Sequence, residues 1–210
     1  ADYDGDGRTD IAVWREAPAT QAAFYILNSS NSTVRVELFG QTGDIPQPGD
    51  YDGDGKADVS VYRNGAQSIF FYRASFNNPG GNTTFQPWGT NGDVPVTGDY
   101  DGDGRVDPAV WSPPRGTEER GQWKVRYLAD KTGHIPRDRT ISFGMKDDIP
   151  IAADYNCDGT TDLGVYRRAE STWIVRLGEN TVHRIRWGID PKEEPIVGDF
   201  DADGCIDLGF

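Results

Sequence analysis

The chain has 210 residues, 36% of them apolar, a formal net charge of -13 and two cysteines. An acidic balance with no Lys/Arg-rich run argues against a phosphate-backbone partner such as DNA or RNA, and no stretch approaches the ~18 consecutive apolar residues of a membrane-spanning helix. No charged and apolar leader opens the sequence, which starts at Ala1 and not at Met and so points to processing or truncation upstream.

A low apolar fraction with high charge would imply weak burial if the acid were spread evenly, but most of the aspartate falls into five clusters beginning at Asp2, Asp50, Asp99, Asp154 and Asp199. The intervals of 48, 49, 55 and 45 residues are those of a blade-sized repeat. In the first unit the loop Asp2 to Asp10 leads into a strand Ile11-Ala12-Val13-Trp14, a second strand over Phe24 to Leu27, and a third ending at Phe39-Gly40. The segment Asp44-Ile45-Pro46 then runs to the next loop. The second unit repeats this order with Val59-Ser60-Val61-Tyr62, Ile69 to Tyr72 and Trp88-Gly89, and the third with Pro108-Ala109-Val110-Trp111, Trp123 to Leu128 and Phe143-Gly144. The fourth carries Leu163-Gly164-Val165-Tyr166, Trp173 to Leu177 and Trp187-Gly188, and the fifth holds Leu208-Gly209-Phe210. The repeats are placed at 1–49, 50–98, 99–153, 154–198 and a partial 199–210, forming one domain over 1–210. Residues 112–121 and 131–139 of the third unit, charged and rich in Pro and Gly, are expected as surface insertions.

Period-two alternation in each strand puts branched residues on one face and a small residue followed by an aromatic ring on the other. The recurring small residue is expected to admit a neighbouring sheet. Four short strands per unit and no helical periodicity predict an all-β fold, a β-propeller-like repeat of four-stranded antiparallel blades, about four blades plus a partial one. The first unit lacks a leading strand and the fifth stops after two. Three arrangements follow: a fragment of a larger propeller, a small ring with an overhang, or a subunit whose end strands complete a neighbour.

Each cluster follows the pattern Asp-x-Asp/Asn-x-Asp-Gly-x-x-Asp. The acidic or amide positions one, three, five and nine are Asp2, Asp4, Asp6 and Asp10; Asp50, Asp52, Asp54 and Asp58; Asp99, Asp101, Asp103 and Asp107; Asp154, Asn156, Asp158 and Asp162; and Asp199, Asp201, Asp203 and Asp207. Oxygens at alternating positions converge only if the backbone curls tightly, which the glycine at position six permits (Gly7, Gly55, Gly104, Gly159 and Gly204). Position seven then offers a backbone carbonyl, from Arg8, Lys56, Arg105, Thr160 or Cys205. Hard oxygen donors without His or Cys side chains favour Ca²⁺ over Mg²⁺, with up to five ions, one per loop. Nineteen of the 34 acidic residues lie in these loops, and five Ca²⁺ would bring the charge from -13 to -3. An EF-hand is excluded because its twelfth position would be Val13, Val61, Val110, Val165 or Phe210, inside strands. Cys157 and Cys205 lie within the fourth and fifth loops. They are too few for a disulfide framework and wrongly spaced for zinc, and they are either one staple between units whose loops lie side by side or two unpaired thiols.

The aromatic-Gly pair, the Asp-x-Pro-x-x-Gly-Asp run (Asp44 to Asp50 and Asp93 to Asp99) and the Asp-Tyr-Asp-Gly-Asp-Gly loop together resemble the FG-GAP/VCBS repeat of integrin-α-type β-propellers. The resemblance recurs in register over essentially the whole chain. It implies that each loop joins the first two strands of a blade and holds calcium, with Asp2, Asp4, Asp6 and Asp10 carrying the first site and the equivalent sets the others. Asn156 departs from the pattern and is expected to weaken the fourth site.

Of the two imidazoles, His134 falls in an insertion and His183 on a strand beside Arg184, neither near a nucleophile motif, so no enzyme is expected. The expected function is that of an extracellular or cell-surface calcium-binding module for adhesion or for binding a protein or glycan ligand. The alternative is a structural subunit of an extracellular filament, partnered with copies of itself by strand exchange. Trp88, Trp111, Trp123 and Trp187 are sugar-stacking platforms or blade core, and Asn28, Asn31 and Asn82 lie in glycosylation sequons.

Overall fold

The computed structural model describes residues 1–16, 21–128, 138–179, 181–188, 192–201 and 205–210. The first sheet holds β1 (Ile11–Arg15), β2 (Ala23–Leu27) and β3 (Val34–Leu38), and the second β4 (Ile45–Pro46), β5 (Val59–Arg63), β6 (Ile69–Arg73) and β7 (Thr84–Pro87). The third holds β8 (Val94–Pro95), β9 (Ala109–Ser112), β10 (Gln122–Val125) and β11 (Arg139–Ser142), and the fourth β12 (Ile149–Ala153), β13 (Asp162–Arg167), β14 (Thr172–Leu177) and β15 (Thr181–Arg186). These are the four blades of a β-propeller: every pairing is antiparallel and every strand pairs with its neighbour in sequence. A two-stranded sheet of β16 (Ile196–Gly198) and β17 (Asp207–Gly209) follows, and a single 3₁₀ turn at Arg168–Glu170 joins β13 to β14.

The blades bury their apolar faces against one another, so the core lies between sheets. Between the first and second blades, Phe24, Ile26 and Phe39 meet Val59 and Val61, with Trp14 and Phe71 at the margin. Between the third and fourth, Trp111, Trp123 and Phe143 meet Leu163, Val165 and Ile174. Trp111 and Trp123 are therefore core, and the sugar-platform alternative does not hold for them. Trp187 is half exposed and packs edge-on against Phe210, which also contacts Tyr166 and Trp173 of the fourth blade.

The aromatic-Gly pair marks these junctions. Gly40 and Gly144 have φ of +89° and +85°, and a β-carbon on either would press on a valine of the next blade, Val61 or Val165. The tryptophan of the same blade braces the turn from the other side: Trp14 Nε1 donates to the Phe39 carbonyl at 3.2 Å and Trp111 Nε1 to that of Phe143 at 3.1 Å.

Three features differ from the sequence expectation. In the second and fourth blades the small residue of the second strand stands against a tyrosine of the blade's own loop, where a neighbouring sheet is expected: a β-carbon on Gly164 would fall 2.6 Å from the Tyr155 hydroxyl, and Ser60 Oγ stands 3.2 Å from that of Tyr51. The strand expected over Trp123 to Leu128 ends at Val125, because the Leu128 amide turns away to donate to Asp107 Oδ1. Of the insertion expected over 112–121, only 115–120 is exposed, Ser112 being buried at the end of β9, and Arg115 reaches back to the buried Asp93 at 3.0 Å. Arg63 grips Asp44 and Arg167 grips Asp148 in the same way, each through two nitrogens. The insertion expected over 131–139 lies almost wholly outside the described residues, as does His134.

Among the described residues, none covers the outer face of the first blade. Ile11 and Val13 of β1, Tyr25 and Leu27 of β2 and Val34, Val36 and Leu38 of β3 stand in register on one side of the sheet, all exposed. The matching residues of the next blade, Val59 and Val61, are buried by the blade before them.

Candidate metal centres

The second, third and fourth aspartate-rich loops each join the first two strands of their blade, and the first loop leads directly into β1. Position-two tyrosines anchor the loops: Tyr51 and Tyr155 donate their hydroxyls to the carbonyls of Gln47 and Ile151 at 2.9 and 3.2 Å. The glycine at position six takes φ of +84° or +85° in Gly7, Gly55, Gly104 and Gly159, as the tight curl requires. The position-one carboxylate then lies inside the curl and accepts amides from positions four and six: Gly5 and Gly7 to Asp2 (2.7 and 2.8 Å), Gly53 and Gly55 to Asp50 (2.6 and 2.8 Å), Gly102 and Gly104 to Asp99 (2.7 and 2.8 Å).

The ninth position closes the loop from below. Asp10, Asp58, Asp107 and Asp162 are all buried, and each accepts the position-two amide on one oxygen and, on the other, an amide from the turn after β2, β6, β10 or β14 respectively. Burial pushes the carboxyls of Asp58 and Asp107 up to about 7, aided at Asp58 by the charge of Asp52 and opposed at Asp107 by the amides of Leu128 and Tyr100. Asp162 is raised for the same reason. At Asp10 burial also acts upward, but the hydrogen bonds from Ser29 and Tyr3 prevail and hold it below the ordinary value. Asp52 and Asp101 are raised by burial and by their acidic neighbours.

Four groups of three carboxylates gather so that one oxygen from each lies within 4.8 Å of the others: Asp2, Asp4 and Asp6; Asp50, Asp52 and Asp58; Asp99, Asp101 and Asp107; Asp199, Asp201 and Asp207. Oxygens bound to one Ca²⁺ at ~2.3 to 2.6 Å stand at most about 5 Å apart, so each group fits a single hard cation. Asp54 and Asp103 stand beside their groups and accept the Lys56 and Arg105 amides at 2.9 Å. Arg8 and Thr160 repeat that bond to Asp6 and Asp158. In the fourth loop Asp154, Asp158 and Asp162 form no such group among the described residues, and Asn156 turns its amide nitrogen to Asp158. Asp203 and Gly204 lie outside the described residues.

Successive loops touch. The position-eight amide of one loop donates to the position-one carbonyl of the loop before it: Ala57 to Asp2, Val106 to Asp50 and Thr161 to Asp99, each at 2.6 Å. The side chains of Lys56, Arg105 and Thr160 lie over position four of the preceding loop, where a β-carbon on Gly5, Gly53 or Gly102 would fall 2.8, 2.8 or 3.2 Å away. At the same place Cys157 and Cys205 form a disulfide with Cα atoms 5.3 Å apart, which decides between the two alternatives for the thiols.

Residues 2–61 and 50–110, together more than half of the sequence, match the family described as FG-GAP-like repeat. The chain belongs to the FG-GAP-like repeat family. No curated protein matches it significantly. The two matched stretches each run from one aspartate-rich loop through the next, so the family's repeat is the blade-plus-loop unit described above.

Two serines complete the FG-GAP-like sites without any signal in the loop pattern. Ser29 Oγ donates to Asp6 and Ser75 Oγ to Asp54 at 2.8 Å, and the neighbouring residues cap position three through Ser30 Oγ to Asp4 and the Phe76 amide to Asp52. They sit in the turns after β2 and β6, about twenty residues away in sequence, and only the shared amide bond to Asp10 or Asp58 marks their register.

Proposed function

We propose that the chain is an extracellular or cell-surface β-propeller module, a single domain over 1–210, that holds calcium in its aspartate-rich loops for structural reasons and presents its blades to a protein or glycan. The observation that carries this is the repetition of one donor arrangement: positions one and three join with position five or nine in four loops, in a set suited to a hard divalent cation. Nineteen of the twenty side-chain donors in the pattern are anionic, and packed together they repel; a bound cation relieves that cost and ties the entry to one strand to the turn after the next. Calcium fits the donors better than magnesium, which keeps more of its water. The Cys157–Cys205 disulfide and the exposed sequon residues Asn31 and Asn82 support an oxidising, external setting. Residues here are assigned to metal and blade structure, and no catalytic role is assigned to any of them.

Thermal unfolding in chelator and in calcium tests the structural role. A native-state ligand stabilises by mass action, about 2.7 kcal/mol at a hundredfold excess over Kd, so melting should rise steadily through millimolar calcium. An unchanged melting temperature would sink the proposal. A glycan array run with and without chelator tests the binding role, which expects retention lost when calcium is removed.

The uncovered apolar face of the first blade favours a second reading, a subunit that assembles with copies of itself. Sedimentation of the purified chain separates the two: concentration-dependent polymers support assembly, and a 23.2 kDa particle at all concentrations removes it.

A further inference from the structure

The fourth loop departs from the first three at two linked positions. At position three it carries Asn156, whose amide nitrogen donates to Asp158 Oδ2 at 3.0 Å while the Thr160 hydroxyl donates to Asp158 Oδ1 at 2.5 Å. Neutral donors from within the loop thus satisfy both oxygens of its position-five carboxylate. The position-three oxygen common to all four gathered groups (Asp4, Asp52, Asp101 and Asp201) here belongs to an uncharged amide. At position four it carries Cys157, with φ of +61°, where the first three loops have glycines at +79°, +76° and +77°. A side chain is unfavourable in that left-handed region, and in the first three loops a β-carbon there would crowd position seven of the next loop. In the fourth loop that crowding is replaced by a covalent bond: position seven of the fifth loop is Cys205, and the two are joined.

We propose that the fourth loop holds no cation, and that the Cys157–Cys205 disulfide does there what the cation does in the first three loops, fixing the curl and tying it to its neighbour. The inference rests on the calcium reading of the other loops. It divides the array into a cation-dependent part, loops one to three, and a covalently fixed fourth loop. Cross-linking position four of one loop to position seven of the next acts across the same contact that Lys56, Arg105 and Thr160 make without a bond, so the disulfide strengthens a junction already built into the repeat. The uncharged Asn156 fits this division, because a loop without a cation is relieved by removing one of its negative charges.

Hydrogen–deuterium exchange on the whole chain tests it, comparing the native protein with the Cys157→Ser, Cys205→Ser double variant, each in calcium and in chelator. In the native protein, chelation should speed exchange of the Gly7, Gly55 and Gly104 amides by roughly tenfold or more and leave Gly159 and Thr160 unchanged. In the double variant with calcium present, Gly159 and Thr160 should exchange faster by a similar factor while the first three loops stay protected. A fourth loop that opens on chelation with its disulfide intact overturns the proposal, and so does one that stays protected without the disulfide. If Gly7, Gly55 and Gly104 ignore chelation, the calcium reading fails whatever the fourth loop does. Should the double variant not fold, Asn156→Asp in the native background decides: supplying a carboxylate at position three should add one bound calcium per chain, and an unchanged count overturns the proposal.

Discussion

The amide of Ala57 donates to the carbonyl of Asp2 at 2.6 Å, so the residue that opens the first acidic loop is held by the second. The bond recurs from Val106 to Asp50 and from Thr161 to Asp99. Asp2, Asp50 and Asp99 therefore each supply a carboxylate to their own loop and a carbonyl to the next, and the first four loops form a chain along the blades. Replacing Asp52 and Asp54 by Ala should remove one bound calcium and also weaken binding in the first and third loops, by several-fold each. Calorimetric titration of calcium into the variant checks this; a loss confined to one site, with the others unchanged, would show the loops to be independent.

The hydroxyl of Ser75 reaches Asp54 from a turn that the loop pattern does not include. A hydrogen bond to a charged group at a partly exposed site is worth about 1 kcal/mol, so Ser75→Ala should lower stability by roughly that amount, and Ser29→Ala should do the same through Asp6. Chemical denaturation measures both. Leu128 and Gly178 occupy the equivalent place in the next two blades and bring no hydroxyl; Leu128 holds Asp107 through its backbone amide, so Leu128→Ala should leave that bond in place.

The buried pair Arg167 and Asp148 predicts the largest loss away from the loops. Asp148 is almost fully buried and takes two hydrogen bonds from the guanidinium, whose own proton is held more firmly by that contact. Removing the cation strands a buried carboxylate, which typically costs about 3–5 kcal/mol. Arg167→Ala should therefore lower the melting temperature by more than Arg115→Ala, because Arg115 is half exposed and offers one nitrogen to Asp93.

Acid and calcium should act in the same direction on the metal-free protein. Asp58 and Asp107 are raised to about 7 in the fold from an ordinary value near 3.8, so their protonated forms are favoured by folding. The stability they contribute is fully present below pH ~3.8 and is lost as pH rises through 7. In chelator, melting temperature should fall between pH 5 and pH 8 on their account; with calcium bound, the cation takes the place of the proton and the slope should flatten. Melts across that range in both conditions check the sign.

Much of this architecture could be read from spacing. The blade-length interval, the aromatic-Gly pairs and the alternating strands locate the sheets closely, because a repeat forces each unit to solve the same burial problem in the same way. The partners of single charged residues could not be read so: Arg63, Arg115 and Arg167 find their aspartates across a sheet or from an insertion, and Arg115 sits at a different offset from the other two. The small residue of the second strand was legible as a close approach, but what approaches is Tyr51 or Tyr155 of the same blade, a choice that side-chain direction makes and period-two spacing does not. The disulfide remained open for a related reason. Whether loops lie side by side depends on how blades pack, and the Ala57–Asp2 register that sets Cys157 opposite Cys205 is a property of that packing.

The central claim is that carboxylates from positions one, three, and five or nine share a cation. Counting calcium bound to the purified chain by equilibrium dialysis at millimolar free calcium, the range in which extracellular sites of this kind fill, tests it directly. Four ions per chain is the predicted result, one for each gathered group. A folded chain that retains none under those conditions would contradict it.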